Sequence, residues 1–529
     1  MQFRTRRSDT FQEGPGGRRA ASTPQSTRLL LRSDLVCVLW SARTAVARRV
    51  LVQEGARALL ARRAPHHVGA RSPVRLHDVV KMQARKSVVV GGGFVGLASA
   101  LHLQRLGRQV TLVDPTKPGS AAAASYGNAG TMATYANVPV NSPSVLCKLP
   151  SMLFDQTGPL SIKPSAHLAS MLPWASLFAW NCRPAAVEHT AAALGALLSR
   201  AESGYDAVWE QAGVDIDLSM GTYASQDVDG QLPFAVRKGQ GHLLLQRSEA
   251  AMKDSRAGAA TRTRHVAGLR MQALSQDEVL DLEPALDAAS CAGGAWLFPD
   301  GWFLSEPRAL LRALAAGFER GGGELRTGAA AVAIRGADGG GASVTLGDST
   351  VLQADEVVVA AGAHSAGLVS GSLGEFCPLE TERGYHVAFA PGSEQLLSRA
   401  VTDPLSGWIA TPMGGGLRVA GKVELGGVHA PPSPAHWAQI EREAQAALKG
   451  VGARAPSSDW MGFRPTMPDS LPVIGRSRTL PCVLYAFGHQ HVGWTLGGIT
   501  GQLIAELVQG KQPSVDLAPY SLDRFRRPW

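Results

Sequence analysis

Several features are scarce in this chain of 529 residues, and each scarcity excludes a class of protein. The six cysteines (Cys37, Cys147, Cys182, Cys291, Cys377 and Cys482) form no C-x-x-C pair. Neither a zinc site nor a disulfide framework is predicted, and a reducing compartment fits best. No stretch of about 18 uninterrupted apolar residues exists, as a spanning helix requires. The best candidate, Leu168 to Trp180, is interrupted by Pro173. Charge is modest and unevenly placed. Of the formal +9, residues 1–82 hold 16 Lys+Arg against 5 Asp+Glu, and the rest of the chain holds 36 against 38. The body therefore lacks the basic surplus needed to neutralise nucleic-acid phosphates, and no nucleic-acid partner is predicted. No Ser/His/Asp or paired-carboxylate constellation is visible either.

What is present suits a large globular protein. Apolar residues make up 45% of the chain, enough for two or three domains of ordinary size. Residues 1–82 form a basic, Ala-rich extension of low order with no long apolar core before a cleavage site, so secretion is not expected. Three readings stay open for it: a transit peptide, an interaction tail, or sequence upstream of the working protein. The last is motivated by Met82, five residues before the apolar run Ser87 to Val90.

The run Lys86-Ser-Val-Val-Val leads into Gly91-x-Gly93-x-x-Gly96, and a helical pattern carrying Val95, Ala98, Leu101 and Leu106 follows. A second strand, Gln109 to Val113, ends at Asp114, 23 residues after Gly91. Strand, glycines, helix and acid in register are the opening of a dinucleotide-binding unit. Gly91 permits the tight turn, Gly93 lets a pyrophosphate approach the backbone, and Gly96 lets helix and strand pack closely. The helix N-terminus favours the phosphates. Asp114 suits two ribose hydroxyls and repels a 2′-phosphate, which selects FAD or NAD over NADP.

Further along, Ala331–Arg335, Ser343–Leu346 and Val351–Leu352 read as a small meander returning to the buried strand Val357–Ala360, after which Ala361 and Gly362 allow close backbone approach. Near the end, Val483–Ala486 reads as a strand, Gly488–Gly493 as a turn and Thr495–Leu507 as a helix. That helix start, with Gly493, Trp494 and Thr495, suits stabilisation of charge on a reduced flavin edge. A His489-x-His491 metal site is the rival there, although no further ligand cluster accompanies it.

Five stretches together resemble the FAD-dependent amine oxidoreductase family of D-amino acid oxidase and glycine oxidase, with the D-amino acid dehydrogenases most similar. They are the glycine fingerprint with Asp114; Ser125-Tyr-Gly-Asn-Ala-Gly130; Asp355 to Ser365; Glu382-Arg-Gly-Tyr-His386; and Gly462-Phe-Arg-Pro-Thr-Met-Pro-Asp469 with Leu471 to Gly475 and Gly488 to Thr495. The resemblance spans roughly Lys86 to Phe525. It implies an α/β fold, with a discontinuous Rossmann-like FAD domain (83–149, 296–370 and 456–529) and an α+β substrate-binding cap (150–295 and 371–455) built on an antiparallel sheet.

The same resemblance implies FAD as cofactor, held by Gly91, Gly93, Phe94, Val95, Gly96, Asp114, Asn128, Ala129, Gly130, Val332, Ala361, Gly362, Gly493, Trp494 and Thr495. It implies that Arg464 grips a substrate carboxylate in a bidentate fork. Without it, Arg464 pairing a protein carboxylate such as Asp469 reads equally well. Tyr385 is the second candidate, donating to the same carboxylate or shielding the site, and His489 and His386 are weaker ones. The implied reaction is oxidative deamination of a D-amino acid to a 2-oxo acid and ammonia by hydride transfer to flavin, with electrons passed to a quinone or other carrier. The alternatives are oxidation of a secondary amine such as sarcosine or D-hydroxyproline, or of glycine, and a non-catalytic FAD-binding assembly factor. A cytoplasmic enzyme in peripheral contact with the inner face of the membrane is expected, or a mitochondrial one if the extension is a transit peptide. Two departures touch the flavin region: Ala121–Ala124 ahead of Ser125, and Gln490-His491 in the glycine turn.

Overall fold

The computed structural model describes residues 85–146, 158, 160–163, 167–212, 222–226, 233–237 and 240–526. The basic extension lies outside the described residues, and those that are described belong to one unit, Gln83–Trp529. Its first layer is a six-stranded sheet in the order Glu324–Thr327, Gln109–Asp114, Lys86–Val90, Glu356–Val359, Val483–Phe487, Val473–Arg476. The first five strands run parallel and the last antiparallel. Continuous β-branched runs make such a sheet possible, because both faces are covered. Val88, Val89, Val90, Val357, Val358 and Val359 are all buried. The helices Phe94–Arg105 and Gly493–Val508 cover one face, sharing a core of Leu97, Leu101, Leu496, Ile499 and Leu503.

The second layer is a nine-stranded sheet. Its order is Trp460–Thr466, Glu380–Ala388, Gly416–Leu425, Trp408–Met413, Ala400–Asp403, His242–Leu245, Ala295–Phe298, Gln272–Leu274, with Leu160–Ile162 paired to Gly416–Leu425. It departs from a purely antiparallel sheet at two places, where Ala400–Asp403 meets His242–Leu245 and where Leu160–Ile162 joins, both parallel. One face packs Tyr385, Val387, Trp408 and Val419 against Ile440 and Ala444 of the helix Pro434–Ala447. The opposite face looks toward the dinucleotide unit.

Segment boundaries shift where hydrogen bonding decides them. Trp460–Thr466 pairs along its whole length with Glu380–Ala388 and so belongs to the second sheet, although the sequence groups it with the dinucleotide domain. Thr131–Met132 and Trp302–Leu304 join a four-stranded sheet with Pro233–Arg237 and Thr222–Gln226 instead of the parallel one. The expected meander is present as Ala331–Gly336, Ala342–Leu346 and Val351–Ala354. Ser275 caps Gln276–Leu282 through a full capping box with Glu278. The helix His167–Asn181 continues through Pro173, and among the described residues no helix is long and apolar enough to cross a membrane.

Candidate active site

The cradle follows from three local contacts. Gly91 lies at φ 114°, and its N–H donates to the Val113 carbonyl at 2.8 Å. A Cβ on Gly96 would stand 1.8 Å from the Gly91 carbonyl oxygen, so only glycine lets the helix start this close to the strand. The helix Phe94–Arg105 carries no acid in its first turn, and its N-cap, Gly93, has no side-chain cap, which leaves the positive end of the dipole facing the cavity. Asp114 accepts from Gly92 N at 2.7 Å and from Thr116 N and Oγ1 at 2.7 and 2.9 Å. A carboxylate offers about four acceptor positions, so capacity remains for ribose hydroxyls. Asp114→Ala is expected to weaken FAD binding about tenfold to a hundredfold, the range for a hydrogen bond to a charged group. Equilibrium titration of apoprotein with FAD checks this.

One cavity of about 870 Å³ runs from this cradle to the second sheet. Gly91, Gly93, Phe94, Val95, Asp114, Asn128, Ala129, Ala361, Gly362, Gly493, Trp494, His489, Tyr385 and Arg464 all line it. Four expected cofactor residues do not. Gly96 acts behind the wall, through the close approach described above. Gly130 sits at φ 71° against the Leu304 carbonyl. Thr495 is buried, and its hydroxyl accepts from Ala133 N at 2.9 Å, tying the helix start to the Thr131–Met132 region. Val332 itself lies outside the lining: it is 56% exposed at a register irregularity of its strand, and its neighbours Ala330 and Ala331 line the cavity.

The middle of the cavity is stitched by Ser125. Its hydroxyl accepts from Phe94 N and its carbonyl from Trp494 Nε1, each at 3.1 Å. Phe94 stacks on Trp494 with centroids 4.3 Å apart. The residues present fit FAD. Besides the glycine cradle and Asp114, Gln490 lines the cavity at φ 48° with its buried Nε2 lacking any hydrogen-bond partner, a donor available to a flavin carbonyl.

The far end is built on strand alternation. Across the pairing of Glu380–Ala388 with Trp460–Thr466, Glu382 faces Arg464, Gly384 faces Gly462, and His386 faces Trp460. These side-chain positions share the cavity face. A Cβ on Gly384 would lie 2.4 Å from the Arg464 guanidinium carbon, so the missing side chain leaves a trough in which Arg464 lies. Arg464 Nη1 donates to the Lys422 carbonyl at 2.9 Å. Lys422 adopts φ 57° at an irregularity in the strand pairing, and its ammonium is neutralised by Glu443 at 2.8 Å. Burial lowers the pKa of Arg464, and Glu382 opposes that effect. Burial likewise raises the carboxyl of Glu382, against the pull of Arg464. Asp469, the rival partner for Arg464, is held instead by Arg524 Nε at 2.6 Å.

Tyr385 lines the cavity one residue out of phase with Glu382, Gly384 and His386, and its ring packs with the core behind the sheet. There its hydroxyl donates to Glu424 at 2.7 Å and accepts from Ser433 N at 3.1 Å. Arg383, fully buried, pairs with the same carboxylate at 2.6 Å. The phenol thus makes both its hydrogen bonds within the protein. Tyr385→Phe is expected to cost about 1–3 kcal/mol of stability while changing KM less than twofold. Denaturant unfolding beside steady-state kinetics separates the two.

The histidines carry no charge here. Burial lowers His489 to about 3, and its Nε2 bonds Thr500 Oγ1 at 2.9 Å. His386, also lowered to about 3 by burial, bonds the Gly127 carbonyl and stacks on Trp460. His491 lines the cavity and is lowered to about 4 by burial and by Arg464. Among the described residues no group of three His, Cys, Asp or Glu could hold a metal. Sequence reading assigned no role to Glu382, Lys422, Trp460 or Arg262, all of which line the cavity. For Glu382 and Trp460 the period-2 register with Arg464 was the available signal; Arg262 looks like any solvent-facing arginine of a charged helix.

The fold and the cradle together define a dinucleotide-dependent oxidoreductase whose cavity extends from the cradle to the second sheet. The family model described as FAD dependent oxidoreductase matches residues 86–507, and the chain belongs to that family, with FAD as its cofactor. A D-amino-acid oxidase of Bradyrhizobium diazoefficiens is 34% identical over 464 residues, covering 84% of this chain and 99% of the relative. A D-amino acid dehydrogenase of Cereibacter sphaeroides is 30% identical over 444 residues, covering 83% and 95%. Among solved structures, glycine oxidase from Geobacillus kaustophilus superposes with a TM-score of 0.59 at 23% identity, covering 83% of this chain and 99% of its own.

Proposed function

We propose that this chain oxidises D-amino acids to 2-oxo acids and ammonia and passes the electrons to a quinone or another carrier. The observation that carries the reading is Arg464, aimed into the cofactor cavity from the second sheet and fixed by the Lys422 carbonyl in the Gly384 trough. A planar guanidinium held this way suits a carboxylate fork, which an ammonium does not reproduce. The names of the relatives at 34% and 30% identity support the substrate class, and the dehydrogenase among them supports an acceptor other than oxygen.

FAD supplies the two-electron acceptor when bound. The chain's own groups do the positioning: Arg464 anchors the carboxylate and the apolar walls exclude water. His489, held neutral at about 3, adds no competing charge. The substrate loses two electrons and two protons to become an imine, and water then converts the imine to the 2-oxo acid and ammonia. Orientation accounts for most of such catalysis, consistent with the scarcity of acid and base groups. If a membrane quinone is the acceptor, the enzyme works in peripheral contact with the inner face of that membrane. The test is anaerobic mixing of purified holoprotein with D- and L-amino acids, sarcosine and glycine, followed by oxidation with oxygen or a quinone analogue. Bleaching of the flavin by D-amino acids and faster reoxidation by quinone are expected; bleaching by sarcosine or glycine alone overturns the substrate class.

A further inference from the structure

A second cation faces the cavity. Arg262 lies on the helix Glu249–His265, whose other long charged residues point outward: Lys253, Asp254, Arg256 and Arg264 are exposed, and Arg264 pairs with Glu188. Arg262 turns inward to line the cavity, half-buried. Its Nη1 donates to the Tyr135 carbonyl at 2.9 Å, and its guanidinium carbon lies 5.9 Å from the Tyr135 ring centroid. No carboxylate pairs with it among the described residues, and burial lowers its pKa. An arginine drawn out of water without a counter-ion is costly unless something anionic arrives to meet it.

The charges at this end add up simply. Lys422 is neutralised by Glu443, and the lining histidines with resolved shifts, His489 and His491, are neutral near pH 7. Glu382 lies opposite Arg464 in the strand pairing, and Arg262 has its hydrogen bond to the Tyr135 carbonyl but no carboxylate partner among the described residues. A zwitterionic amino acid with an apolar side chain brings no net charge, whereas one with a side-chain carboxylate brings one negative charge. Arg464 reaches Lys422 on Gly416–Leu425, and Arg262 and Arg464 line the same cavity.

From this we infer that the substrate carries a second anionic group, with Arg464 holding the α-carboxylate and Arg262 the side-chain carboxylate of an acidic D-amino acid. The inference rests on the proposed D-amino acid oxidation and names its substrate class. The experiment uses holoprotein and the isosteric pairs D-glutamate with D-glutamine and D-aspartate with D-asparagine, followed by flavin bleaching and steady-state kinetics. At least one acid is expected to exceed its amide at least tenfold in kcat/KM, and glutarate is expected to compete better than pentanoate. In Arg262→Gln the preference should collapse through a rise of at least tenfold in KM for the acid, with the amide unchanged. Arg262→Lys should recover part of it. Amides equal to acids in the unaltered protein, or equal losses for both in Arg262→Gln, overturn the assignment while leaving D-amino acid oxidation intact. Bleaching by no D-amino acid at all overturns that parent reading, and this one with it.

Discussion

Arg464→Leu is expected to lower kcat/KM for any D-amino acid substrate by about two to three orders of magnitude, with FAD still bound and the protein folded. Removing one partner of a desolvated, hydrogen-bonded charge pair costs about 3–5 kcal/mol, and each 1.4 kcal/mol is tenfold. The loss should be largest in KM, because the guanidinium holds the ground state as well as the transition state. Arg464→Lys tests the fork separately from the charge. Gly384 leaves a trough shaped for a flat group, and the Lys422 carbonyl satisfies one of its N–H donors. An ammonium keeps the charge and loses the second parallel hydrogen bond, so about a tenfold to hundredfold loss is expected. Steady-state kinetics on both variants, with the flavin spectrum as a control for cofactor content, checks this. A kcat/KM within threefold of the unaltered protein for Arg464→Leu would remove the carboxylate anchor from the account.

The other large effect is expected at the cradle. Gly96→Ala places a methyl group 1.8 Å from the Gly91 carbonyl oxygen, which is backbone on both sides and cannot swing away. The helix Phe94–Arg105 must then move off the strand Lys86–Val90, widening the turn that receives the pyrophosphate. Overpacking of this kind costs about 1–3 kcal/mol. The displaced helix start also loses its alignment with the phosphates, so colourless protein with a lowered Tm is the expected product. Absorbance of the purified variant and thermal unfolding with and without added FAD measure both parts. Gly107, which ends the same helix at φ 76° and where an added Cβ would meet nothing within 4 Å, makes a fair contrast. Gly107→Ala should cost stability through its backbone conformation alone and leave the cofactor in place.

The parts legible in the sequence share one property. The fingerprint from Lys86 to Asp114, the capping box at Ser275 and the terminal helix beginning at Gly493 are each written within a short contiguous stretch, where helix and strand periods convert directly into geometry. The resemblance added Arg464, and the structure places it in the cavity as expected. Tyr385 sits three residues from Glu382 in the same strand, yet its hydroxyl bonds Glu424. Which of two alternating faces meets the cofactor depends on pairing with a strand some eighty residues further on.

Sequence alone thus determined that the chain opens on a dinucleotide-binding unit, with its glycine turn at Gly91 to Gly96 and its acid at Asp114, and that no duplex-binding surface is expected. Local hydrogen bonding and backbone freedom fix those outcomes within about thirty residues. Only the tertiary structure decided which polar residues share the reactive chamber. Arg262, Glu382 and Arg464 come from a helix and two strands remote from one another in the chain, and the packing of those elements sets the direction of each side chain.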